Sequence, residues 1–239
     1  MRLALAVTLS CAALLGCAYA QTPVEIADGR SGSEWVDLSA WATAAPMQQA
    51  SAAARSYWQG KDASYEEDLR IFAVAEGAFT EPGAQQQAVL FVMSVWPRCC
   101  PKTGLAVVEG DRLVRNVAFE GVAQGLSAVP DLDGDGRDEL ALTGEFGMGG
   151  QVSRSVTLAS FGTEGLADWG STSLLDDSCA AGYDGSSATH VTALPGPTFT
   201  VERYARASCE SETWEPVGGP EALELVAPET SPYVDLRVP

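Results

Sequence analysis

The sequence predicts a mainly β protein of antiparallel sheets, sandwich or partial-propeller-like, with one short N-terminal helix. Three observations carry this expectation. From residue 69 onward the chain breaks into short segments rich in Val, Leu, Phe and Thr, bounded by Gly, Pro, Asp or Asn, as strands joined by turns are. GLAVVEGDRLVRNVAFEG reads as a β-hairpin turning at Glu109-Gly110-Asp111. FTVERYARA alternates apolar and polar residues, the pattern of a strand with one buried and one wet face.

The elements follow in order. The first twenty residues, MRLALAVTLSCAALLGCAYA, place Arg2 before an apolar run from Leu3 to Leu15 and then small residues. That order is an export signal, and the run is too short to cross a bilayer. Two processing routes compete. Cleavage after Ala18-Tyr19-Ala20 gives a soluble chain starting at Gln21, whereas Leu14-Leu15-Gly16-Cys17 resembles a bacterial lipoprotein box, with the signal ending at Gly16 and a lipid on Cys17. Either route leads outside the cytoplasm: periplasmic, secreted, or lipid-anchored to the cell envelope through Cys17.

Residues 21–45, rich in Gly, Ser and Ala, read as an irregular segment. PMQQASAAARSYWQG, residues 46–60, is the helix: Pro46 suits a first turn, Met47, Ala50, Ala54 and Tyr57 recur at helical spacing, and Gly60 can close it. The strands are then expected at LRIFAVAEGAF, QQAVLFVMSVWP, GLAVVEG, DRLVRNVAFEG, DELALTGEF, SVTLASFG, THVTAL and TFTVERYARA. Residues 46–214 therefore form the β domain. The Pro-rich tail, 215–239, is expected to wrap its surface.

The formal charge is −18, and losing Arg2 with the signal takes it to −19. Such a surface repels nucleic acid and anionic headgroups and suits a solvated protein that meets cations. With Cys11 and Cys17 in the leader, four cysteines remain: Cys99, Cys100, Cys179 and Cys209. An even number in an oxidising compartment points to disulfides. The favoured pairing is Cys179–Cys209 with Cys99–Cys100 as a vicinal bridge, against the alternative that each of the adjacent pair reaches a distant partner.

The strongest local signal is PDLDGDGRDELAL, residues 130–142, which packs five carboxylates into nine residues. Counting Asp131 as position 1, acids fall at 1, 3, 5 and 9 (Asp131, Asp133, Asp135, Glu139), with Gly136 at 6 and Arg137 at 7. Alternate carboxylates on a curled loop turn their oxygens inward, Gly136 allows the turn, and the Arg137 carbonyl can add a ligand. That set suits Ca²⁺, which takes six to eight hard oxygens. Position 12 is Leu142 and not an acid, so the loop is neither an EF-hand nor a dockerin loop. Asp138 is expected to point outward.

This D-x-D-G-D-G-x-x-E-L pattern, with the Gly-rich turn GEFGMGGQ and the strand SVTLASFG after it, resembles the calcium loop of FG-GAP/VCBS-type repeats, the integrin-like propeller blade. The likeness runs from Val129 to Gly162 in a single copy. It implies Asp131, Asp133, Asp135, Glu139 and the Arg137 carbonyl as ligands, and Glu139 stands where Asp is more usual.

Catalytic patterns are sparse. His190 is the lone histidine, beside Ser186, Ser187 and Asp184, and its plainer reading is a strand residue. There is no G-x-S-x-G elbow and no S-x-x-K. The six tryptophans are scattered, without a sugar-stacking pattern. The expectation is an exported calcium-binding β protein with a binding or envelope role, meeting an envelope protein or a glycan. The alternative is a secreted carboxylate-dependent hydrolase of glycans or esters, its calcium structural.

Overall fold

Residues 86–94, QQAVLFVMS, lack the polar alternation of a half-wet strand, and their burial explains why. The computed structural model describes residues 22–32, 36–61, 68–94, 101–183, 185–236 and 238. The export signal, Cys17 and the Cys99–Cys100 pair lie outside the described residues. In chain order come β1 (Val24–Asp28), helix α1 (Ala45–Lys61), β2 (Arg70–Gly77), β3 (Gln86–Ser94), β4 (Lys102–Glu109), β5 (Arg112–Glu120) and β6 (Gly125–Val129). There follow β7 (Glu139–Met148), β8 (Gln151–Gly162), β9 (Gly165–Asp177), β10 (Ser186–Leu194), β11 (Thr198–Arg206), β12 (Glu215–Pro216), β13 (Glu221–Leu223) and β14 (Val234–Asp235).

A five-stranded antiparallel sheet has the order β14-β5-β4-β3-β2. Side chains alternate across it. Val89, Phe91 and Met93 of β3, with Ala106 and Val108 of β4, meet Met47, Ala50, Ala54 and Trp58 of α1. Ala88, Leu90, Leu105 and Val107 turn the other way, toward Leu140, Leu142, Ala159 and Phe161 of the second sheet. Trp58 is buried where the spacing had placed Tyr57, which packs at the margin.

The second sheet has nine strands, ordered β12-β11-β10-β9-β8-β7-β6, with β1 on β10 and β13 on β11. It curls into a half-barrel. The curl turns at β10, one edge of which pairs with β11 throughout while the other meets β9 at Ser186–Ala188 and β1 at His190–Ala193. Ile26, Val191 and Ala193 thereby share a core with Val129, Leu132, Ala141, Val156 and Leu158. The start of β7 and the second half of β8 thus send side chains into cores on both faces.

Mainly-β character, antiparallel pairing and the hairpin hold, the hairpin closing at Glu109↔Arg112 with Gly110 at φ 57°. The segment expected to be irregular, 21–45, needs correction: it contains β1 and a 3₁₀ turn, Ser39–Thr43. Only Ile26 of β1 is fully buried, too faint a local pattern to announce a strand. β6 and the 13-residue β9 also escape the sequence reading. β9, GLADWGSTSLLDD, is broken by Gly, Ser and two bulges against β8. The tail adds edge strands to both sheets: β12 and β13 to β11, and β14 to β5.

Candidate metal centre

The acidic loop joins β6 to β7. Gly134 and Gly136 adopt φ of 83° and 85°, left-handed conformations that favour glycine. Around them the Asp131 carboxylate organises the turn, accepting the backbone N–H groups of Gly134 at 2.7 Å, Asp135 at 3.2 Å and Gly136 at 2.9 Å. This is the local side-chain-to-backbone bonding that lets Asp shape turns. Leu132, buried in the concave core, pins the loop from below. Its N–H donates to Glu139 Oε2 at 2.9 Å.

Asp131, Asp133 and Glu139 each bring a carboxylate oxygen into one group, all within 4.8 Å of one another. Asp133 is exposed, Asp131 half-buried, and Glu139 only 1% exposed. Burial, with the Asp133 and Asp131 charges added, pushes the Glu139 carboxyl up to about 7, against the N–H bond from Leu132. Three carboxylate oxygens at this separation could hold a hard cation.

Asp135 stands outside the group. Its oxygens accept from the Arg137 N–H at 2.9 Å and the Arg137 Nε–H at 2.8 Å, with a further bond from Nη2. The cause is local, since the guanidinium two residues on is its nearest countercharge. That pair holds the Asp135 carboxyl below the usual carboxylate range, through the side-chain bond and in spite of partial burial. Arg137 is half-buried over the loop.

Asp138, expected to point outward, turns inward. Its Oδ2 accepts the Ala78 N–H at 2.8 Å, and its own N–H donates to the Ala78 carbonyl at 2.9 Å. The loop is thereby clamped to the end of β2 in the other sheet, where a Cβ on Gly136 would stand 3.0 Å from Pro82. On the opposite side the Leu132 carbonyl accepts the N–H of Gly196, in the β10–β11 turn, at 2.7 Å. A cleft of about 560 Å³ adjoins the loop, lined by Glu76, Gln85, Gln87 and Asp138 among others.

His190 lies in mid-strand, its ring between Glu25 (Nε2, 3.1 Å) and Glu202 (Nδ1, 3.3 Å). Ser186 is not its partner; that hydroxyl donates to Asp177 Oδ1 at 2.9 Å. His190 is thus a strand residue, and no bond joins it to Ser186. Trp41 and Trp58 belong to the helix-side core, Trp169 bonds Ser160 at 2.9 Å, and Trp214 faces Arg206, so these four build no common platform. Trp35 and Trp96 lie outside the described residues. No helix among the described residues is long and apolar enough to cross a membrane. Comparison with protein-family models, with curated proteins and with solved structures finds no match to this chain.

The clamp on Asp138 is the site feature that sequence spacing missed. Its partner is 60 residues away, and no pattern within the loop distinguishes Asp138 from a solvated acid.

Proposed function

We propose that this chain is an exported calcium-binding β protein with a binding or envelope role, its Ca²⁺ structural. Asp131, Asp133 and Glu139 supply the first carboxylate oxygens, and the Arg137 carbonyl adds a main-chain ligand. Asp135 joins them by releasing Arg137. The observation that carries this reading is the position of the loop. It is tied by Asp138 to the end of β2 and by Leu132 to the β10–β11 turn, so an ion ordering it steadies the junction of both sheets. Kinship with FG-GAP/VCBS repeats rests on the D-x-D-G-D-G-x-x-E-L pattern of the loop, which joins two antiparallel strands, β6 and β7. Export is supported by the Cys179–Cys209 disulfide, which suits an oxidising compartment.

A melting scan with calcium, and again with chelator, tests the proposal. At calcium between one and ten times Kd, mass action contributes about 0.4–1.4 kcal/mol. For a chain of this size that raises Tm by about 1–6 °C. Asp133→Ala should abolish the calcium-dependent part. A Tm that calcium and chelator leave unmoved, in the native chain and in the variant alike, would sink the metal reading.

A further inference from the structure

Away from the acidic loop, a second polar cluster surrounds the disulfide. Cys179 follows β9, Cys209 follows β11, and their Cα atoms are 5.4 Å apart. The two sulfurs sit in opposite surroundings. Cys179 Sγ lies 3.6 Å from Arg206 Nη2, which can donate to it, and 3.4 Å from Ser186 Oγ, whose proton goes to Asp177. Cys209 Sγ lies 3.3 Å from the Tyr183 carbonyl oxygen, an acceptor, and Glu210 follows it in the chain.

The guanidinium is held in place. Arg206 Nη2 also reaches Ser186 Oγ at 3.2 Å and Asp177 Oδ2 at 3.3 Å, and the Trp214 ring lies 5.1 Å from its carbon. Its Nε is buried without a partner among the described residues. Asp177 is the opposing charge, and its oxygens are engaged by the Cys179 N–H, Ser186 and Arg206.

A neighbouring cation stabilises a thiolate, and the sulfur that better carries negative charge is the better leaving group in exchange. We propose that Cys179–Cys209 is a thiol–disulfide exchange site, opened by an external dithiol that attacks Cys209 and expels Cys179. The attacking thiolate bonds to Cys209 Sγ as the S–S bond breaks, and the electron pair leaves on Cys179, facing Arg206. The second thiol of the reductant then attacks the mixed disulfide. The dithiol departs oxidised, and Cys209 takes up a proton that it can donate to the Tyr183 carbonyl. Two electrons pass to the protein, and the β9–β10 connection is released from the segment after β11.

Exchange chemistry on the folded, oxidised full chain tests this. Brief treatment with glutathione, acid quenching and peptide mapping should find the adduct on Cys209 in roughly threefold or greater excess over Cys179. Mapping also separates any adduct on Cys99 or Cys100. Adduct mainly on Cys179, an even split, or a bond that dithiothreitol cannot open in the folded chain would each overturn the proposal. After reduction, the pH midpoint of iodoacetamide alkylation should lie about one unit lower at Cys179 than at Cys209. Arg206→Met should close that gap, and a gap that the substitution leaves intact would refute the role given to the guanidinium. If Arg206→Met fails to fold, adduct mapping on the native chain decides alone.

Discussion

Asp138→Ala separates a structural acid from the carboxylates grouped beside it in the loop. In the native chain Asp138 Oδ2 accepts the Ala78 N–H at 2.8 Å, half-buried at the junction of the two sheets. A hydrogen bond to a charged group contributes about 1.5–3 kcal/mol, and removing the acceptor leaves the amide unpaired. For a chain of this size that lowers Tm by about 3–12 °C. Asp135→Ala is the matched control. It removes an exposed acid of the same loop, paired with Arg137 at the surface, a pair worth about 0–1 kcal/mol. Calorimetric melting of both variants in chelator keeps any metal contribution out of the comparison. If Asp138→Ala melts within about 1 °C of the native chain, or if Asp135→Ala loses more, the clamp between the sheets is not what holds the loop.

Three further outcomes follow from the packing and the charges. Gly104 lies under the Phe91 ring, and a Cβ there would come within 2.2 Å of it. Gly104→Ala should therefore cost about 1–3 kcal/mol by overpacking, and an unchanged urea midpoint would contradict the packing. Ile26 is 6% exposed in the concave core, so Ile26→Ala should cost about 2–5 kcal/mol; near-neutrality would show that β1 is not part of that core. The Asp177 carboxyl is held below its ordinary range, first by the Cys179 N–H, then by Ser186 and Arg206, with burial opposing. Its folded value is the lower one, so its stabilisation is present above the unfolded value of about 3.9 and fades as pH falls through the folded value. Urea midpoints of the native chain and of Asp177→Asn should differ at neutral pH and converge as pH falls through the lowered folded value; a constant difference would refute the linkage.

What could be read from the sequence divides along the range of the interactions. The helix is legible because Met47, Ala50 and Ala54 mark one face whatever packs against it. β3 and β4 are legible because both their faces are buried and their apolar runs are unbroken. β1 is not, because its five residues are a strand only through pairing with residues 190–193, far along the chain. The acidic loop shows the same division. Gly134, Gly136 and the spaced acids act within nine residues, so their grouping is written locally. Asp135 is paired with Arg137 and not gathered with the other acids, and the inward turn of Asp138 depends on Ala78 in another sheet, which no local pattern records. Of the polar groups around Cys179, Asp177 is local, but Ser186 and Arg206 are brought there only by strand pairing.

The edge strands added by the tail bear on when the molecule can be finished. β14 covers the edge of β5, and β12 and β13 cover β11, while β1 waits for β10 to exist. A ribosome releases the chain from its N-terminus, so β1 emerges first and has no partner until more than 160 residues later. Until the last strands arrive, β5 and β11 present open edges of the kind that recruit foreign strands. A chain cut short before Val234 would carry the acidic loop intact and still leave the β5 edge bare. Such a fragment should clump during synthesis, and its loss would be decided by timing and not by any missing ligand.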